Sequence, residues 1–139
     1  MTKLFISYAR GDDEAFVSTL FSDLCTHGYD VWFDRVNMPS RGLTFLKEIR
    51  DEIDRRDCII LVVGPKAVKS DYVNSEWQHA LTFAKVVLPI IRIGSYEYLP
   101  EELRELHAPD FQISRPYNEA LQELLTILSQ PLIEGLGHY

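Results

Sequence analysis

The chain has 139 residues, 46% hydrophobic and 25% charged, enough for the core of one domain and too short for two ordinary ones. That balance excludes a disordered, collagen-like or low-complexity chain. The 14 Lys+Arg against 21 Asp+Glu leave a net charge of −7 with no basic cluster, so nucleic acid is not an expected partner.

Leu4-Phe5-Ile6-Ser7-Tyr8 predicts a first strand, bounded by Arg10-Gly11-Asp12-Asp13. Phe16, Val17, Leu20, Phe21 and Leu24 then recur at helical spacing, which predicts a helix with one buried face. Asp12 and Asp13 are suited to cap its start, and Gly28 to end it. Val31-Trp32-Phe33 predicts a short second strand, followed by a loop from Asp34 to Gly42. Phe45, Leu46, Ile49 and Ile53 mark a second helix. Cys58-Ile59-Ile60-Leu61-Val62-Val63 is continuously apolar, so both faces of this strand should be covered. Gly64-Pro65 ends it.

A third helix is expected from Ser70 or Asp71 to about Lys85, burying Val73, Trp77, Ala80, Leu81 and Ala84. Residues 86–91 predict a fourth strand, in which Pro89 is an irregularity. A short helix over 100–106 and a weak strand near Phe111-Gln112-Ile113 follow. A last helix, Tyr117 to Leu128, carries Leu121, Leu124, Leu125 and Leu128. The domain is expected to span 1–129, with 130–139 a tail or the start of a linker. The two cysteines, Cys25 and Cys58, make neither a disulfide framework nor a metal site, and the four histidines share no metal spacing. The N-terminus lacks the apolar core of a signal peptide, and no apolar run reaches the ~18–20 residues that span a bilayer. A cytoplasmic setting with no membrane partner is therefore the expectation.

Strands alternating with helices imply an α/β fold with helices on both faces of a parallel sheet. The expected form is a flavodoxin-like, doubly wound sheet of five strands in the order 2-1-3-4-5. Such sheets bind ligands beyond the carboxyl ends of the strands, at the crossover between strands one and three. That rule selects Ser7-Tyr8-Ala9-Arg10, the segment from Gly64 into the third helix, and a wall formed by Trp32, Phe33, Asp34 and the Pro39–Gly42 loop. On the third helix Tyr72 and Glu76 are four apart and share a face with His79, offset from Val73, Trp77 and Ala80. A ring and a carboxylate are thus presented together toward Tyr8 and Arg10, and Ser70 suits the helix cap. A phosphoacceptor receiver domain would also place acids after strand one, but it needs an aspartate ending strand three, where this chain has Val62-Val63-Gly64-Pro65.

Three segments together resemble a TIR (Toll/interleukin-1 receptor) domain of the bacterial type. They are Phe5-Ile6-Ser7-Tyr8, then Gly28-Tyr29-Asp30-Val31-Trp32-Phe33-Asp34 with Gly42 before a helix, and then residues 58–65 followed by Ser70-Asp71-Tyr72-Val73-Asn74-Ser75-Glu76. The resemblance extends over about residues 3–128. It implies the five-stranded flavodoxin-like fold and assembly through TIR–TIR contacts. A subset of the family cleaves NAD+ at the nicotinamide–ribose bond. In that subset a third-helix glutamate is catalytic, six residues after a serine and four after an aromatic, here Glu76, Ser70 and Tyr72. The aromatic is often Trp, from which Tyr72 departs. Tyr8 and Arg10 match residues lining the family's pocket, and Trp32 and Asp34 match its second-strand wall. Asn37, Met38, Pro39, Ser40, Arg41 and Gly42 match the BB loop, an assembly contact that also gates the pocket.

The resemblance thus implies an NAD+ glycohydrolase or cyclase, activated by self-assembly, in bacterial immune signalling. NAD+ is then substrate, with no cofactor, and a fused or separate sensor domain would supply the trigger. The alternatives are an adaptor acting only through homotypic TIR–TIR contacts, and a related nucleoside-cleaving transferase. Nicotinamide leaves NAD+ as a neutral molecule, so no general acid is needed and one carboxylate suffices, where ordinary glycoside hydrolysis uses two. A fixed carboxylate at Glu76 would stabilise the positive charge that develops on the ribose.

Overall fold

The computed structural model describes residues 2–33 and 43–130. Its regular elements are β1 (Lys3–Ser7), α1 (Glu14–Thr26), β2 (Asp30–Trp32), α2 (Leu43–Arg55), β3 (Cys58–Val63), α3 (Asp71–Thr82), β4 (Val86–Ile91) and α4 (Tyr117–Leu128). Short 3-10 turns occupy Ala67–Lys69, Tyr96–Tyr98 and Glu101–Leu103. All strand pairs are parallel, in the order β2-β1-β3-β4. No described helix is long and apolar enough to cross a membrane.

Alternation along each strand divides the core into two layers. Leu4 and Ile6 of β1, Cys58, Ile60 and Val62 of β3, and Val86, Leu88 and Ile90 of β4 pack against α1 and α4. Phe5, Ile59, Leu61, Val63, Val87 and Ile91 face the other way, onto Ile49 and Ile53 of α2 and Val73, Trp77 and Ala80 of α3. Every residue of β3 is buried, as expected of a central strand with helices on both sides.

Among the described residues the sheet has four strands where five were expected. The fifth is reduced to one bridge, Ile91 with Asp110, in which Ile91 N–H donates to Pro109 O at 2.9 Å and Phe111 N–H to Ile91 O at 2.8 Å. Pro89 supplies a physical reason. The N–H groups of Val86 and Arg92 donate inward, to Asp57 O and Val63 O, whereas that of Ile91 donates outward. Pro89 shares the parity of Ile91, so its missing N–H falls on the outer edge, where β3 needs nothing from it and a fifth strand finds no donor.

Two other expectations are corrected. Helix α3 stops at Thr82, short of Lys85, because Ala84 takes a left-handed conformation (φ 59) while Lys85 N–H donates to Ala80 O at 2.8 Å and Ala84 N–H to Leu81 O at 3.1 Å. This is a Schellman ending with alanine where glycine is usual. Ala84 therefore lies past the helix, and Leu81 is 42% exposed instead of buried. Second, the two acids before α1 divide their roles. Asp13 caps the helix, accepting from Phe16 N–H at 3.1 Å, whereas Asp12 reaches across the sheet edge to the segment after β3.

Candidate active site

Strand β1 ends at Ser7, which is 1% exposed and is the one buried polar side chain among the described residues. Its position two residues after Phe5 points it to the α3 side of the sheet. There Ser7 Oγ donates to Glu76 Oε1 at 2.5 Å. The length is that of a strong hydroxyl-to-carboxylate bond. Glu76 is half-buried, turned in toward the carboxyl end of β1 and away from bulk solvent.

Helix α3 delivers this carboxylate by its start. Ser70 caps the helix, accepting from Val73 N–H at 3.2 Å through its side chain and from Asn74 N–H at 3.0 Å through its backbone. Trp77 anchors the adjoining apolar face, buried among β1, β3 and α2 residues, with its indole N–H donating to Asn74 Oδ1 at 3.0 Å. With the apolar face fixed by Val73, Trp77 and Ala80, Glu76 is left at the flank of the core and Tyr72, one turn earlier, is 58% exposed. His79 extends the same flank to α2, where its Nε2 meets Asp54 Oδ1 at 2.8 Å.

The segments around this bond are stitched together by Asp12. Its two oxygens accept from Lys66 N–H and Ala67 N–H, each at 2.9 Å, which ties the loop after β1 to the loop after β3. Gly64 is required for that approach, since a Cβ there would lie 2.5 Å from Asp12 Oδ2. Asp13 fastens the same loop to the end of β4. Arg92 donates to Asp13 Oδ2 from Nε at 2.9 Å and Nη2 at 2.8 Å, donates to Phe111 O at 2.7 Å, and lies over the Phe16 ring. Burial raises the Asp13 pKa, but the Phe16 N–H and the hydrogen bonds and charge of Arg92 together outweigh it and hold the carboxyl below its ordinary value.

The other residues expected at the site fall in different places. Arg10 is exposed on the loop after β1. Tyr8 is 9% exposed, and its ring packs on Phe33 at 5.7 Å within the α1–α4 layer, on the side of the sheet opposite Ser7. Trp32 is 5% exposed and stacked on Phe5 at 4.9 Å, a core position in the α2–α3 layer. Asp34, Asn37, Met38, Pro39, Ser40, Arg41 and Gly42 lie outside the described residues, as does the 131–139 tail. The sequence selects Ser7 only as part of the Ser7–Arg10 segment and Asp12 only as a helix cap, with no bond to Glu76 and no clamp assigned to them. The signal for Ser7 was one polar residue among the apolar ones of a buried strand.

The sequence model of the TIR domain matches residues 4–125. The chain belongs to the TIR domain family. No curated protein sequence matches it. Among solved structures, the TIR domain of the Toll-related receptor TRR-2 from Hydra magnipapillata superposes with a TM-score of 0.75 at 21% identity, over 91% of this chain and 98% of that one. The TIR domains of the activated Roq1 resistosome give 0.75 at 14% identity, over 92% and 99%. A Clostridium botulinum CMP N-glycosidase, BcmB, gives 0.63 at 17% identity, over 91% and 99%. At these identities the likeness is one of fold.

Proposed function

We propose that this TIR domain cleaves the bond between nicotinamide and ribose in NAD+, with Glu76 as the catalytic carboxylate, once copies of the domain have assembled. The observation that carries the reading is the Ser7–Glu76 hydrogen bond, which turns an acid inward at the crossover where such sheets hold ligands. In the reaction the C1′–N bond breaks and its electron pair neutralises the nicotinamide ring. Positive charge gathers on the ribose, where Glu76 stabilises it more than the ground state. Water then adds at C1′ and releases a proton, giving ADP-ribose; attack by an adenine nitrogen gives a cyclic isomer. Ser7 orients the carboxylate, and Tyr72 offers an aromatic face to a flat ring.

The likeness to a protein named as a CMP N-glycosidase supports the same class of bond cleavage on this fold. The test is chromatography of NAD+ and, separately, of CMP after incubation with concentrated or artificially clustered protein. Nicotinamide with ADP-ribose or a cyclic isomer supports the proposal; free cytosine from CMP with NAD+ intact moves the activity to the nucleotide-cleaving alternative. The exposure of Tyr72 favours one further reading, an adaptor that uses this face for TIR–TIR contact. In that case neither compound is cleaved and Tyr72→Ala lowers self-association.

A further inference from the structure

Two cations stand on the loops that flank the Ser7–Glu76 bond. Arg10 and Lys66 are both exposed, and neither pairs with an acid among the described residues. Asp12, the acid between them in the stitched loops, gives its oxygens to the backbone N–H groups of Lys66 and Ala67. Gly11 shows how close the loops come. Its φ of +94 turns the chain back after Arg10, and a Cβ built on it would lie 2.8 Å from Lys66 Nζ and 3.1 Å from Lys66 Cδ. The Lys66 side chain therefore lies across the backbone of Gly11, with its ammonium beside the residue that follows Arg10. In a chain of net charge −7, the adjoining loops after β1 and β3 each carry one cation that pairs with no acid among the described residues. A point charge and a planar fork on adjoining loops suit phosphate oxygens.

We infer that Lys66, acting with Arg10, forms a phosphate subsite that makes the domain select phosphorylated nucleosides over free ones. The inference rests on the site proposed above for its location, and on binding alone for its chemistry. The exposed lysine carries the discrimination, because the orientation of Glu76 toward ribose would be the same for a nucleoside and a nucleotide.

The test is calorimetric or NMR titration of the whole chain with ADP-ribose, adenosine and inorganic pyrophosphate, using the natural sequence, Lys66→Glu and Lys66→Arg. ADP-ribose is expected to bind about tenfold or more tightly than adenosine, and Lys66→Glu to remove about tenfold from ADP-ribose while adenosine stays within about twofold. Lys66→Arg keeps the preference. Equal affinities for ADP-ribose and adenosine overturn the inference, as does a Lys66→Glu loss common to both, or no ADP-ribose binding at all. Pyrophosphate binding as tightly as ADP-ribose overturns the nucleotide assignment in favour of a free anion. ADP-ribose has no nicotinamide bond, so the outcome is separate from cleavage: Lys66-dependent binding without NAD+ turnover keeps the subsite and removes the glycosidase, and turnover with Lys66-independent binding does the reverse.

Discussion

Ser7 Oγ and Glu76 Oε1, 69 residues apart in the chain, meet at 2.5 Å and join the end of β1 to the middle of α3. The bond fixes the rotamer of a carboxylate that the helix alone would leave at its flank. Removing the hydroxyl takes away one of the contacts that orient the carboxylate, without touching substrate. Ser7→Ala is expected to lower kcat by about tenfold, the worth of one hydrogen bond to a charged group, with KM little changed. Ser7→Thr restores the rate. Steady-state kinetics on the two variants checks the split, and an unchanged kcat in Ser7→Ala would show that the bond is only structural.

The contact between Gly64 and Asp12 predicts a non-additive pair. Gly64→Ala drives a methyl into the Asp12 carboxylate and should destabilise by about 1–3 kcal/mol through the loss of its two backbone acceptor bonds. Once Asp12→Ala has removed that carboxylate, the same methyl meets only the retained Cβ at 3.2 Å, a contact that a shift of a few tenths of an ångström relieves. Denaturant unfolding of the double-mutant cycle should show Gly64→Ala costing clearly less on the Asp12→Ala background. Simple additivity counts against the clamp.

The Asp13–Arg92 pair sets an acid dependence. Asp13 titrates below its ordinary value in the folded chain, so its contribution is present above the unfolded pKa of about 4 and is lost as pH falls through the lower folded value. Asp13→Asn keeps a good helix cap and removes the charge. It should cost about 1–3 kcal/mol at pH 7 and progressively less below pH 4, read as thermal unfolding against pH. A cost that does not change on acidification contradicts the pair.

Ala84 holds a conformation that suits glycine. Ala84→Gly is expected to stabilise the domain by about 1 kcal/mol, relieving the left-handed strain in excess of glycine's entropic cost. A lower melting temperature for this variant would mean that the Schellman ending is not strained.

Much of the architecture was legible in the sequence, because β3 is apolar at every position and α4 keeps a regular leucine spacing, patterns that local periodicity reports directly. The misreadings have physical causes. The end of α3 carried no glycine to mark it. The fifth strand failed on hydrogen-bond parity at Pro89, which a hydrophobicity pattern does not express. The reach of Asp12 to Lys66 spans 54 residues, beyond any local capping signal. Strand alternation does place Tyr8 with Leu4 and Ile6, in the layer where its ring is found; the expectation of a cleft-facing ring came from the crossover rule, which selects a whole segment without regard to side-chain alternation, and the family resemblance repeated it. Ser7 was readable by the same alternation, as the polar member of the Phe5 face, but its partner depended on how α3 packs.

The proposed cleavage depends on Glu76 acting on bound NAD+. The most direct measurement is the rate of nicotinamide release by the clustered domain, compared with Glu76→Gln at the same concentration. Loss of the carboxylate's charge is predicted to slow release by about 10²–10³ or more, with the fold and assembly intact. Release at an undiminished rate from Glu76→Gln would contradict the account.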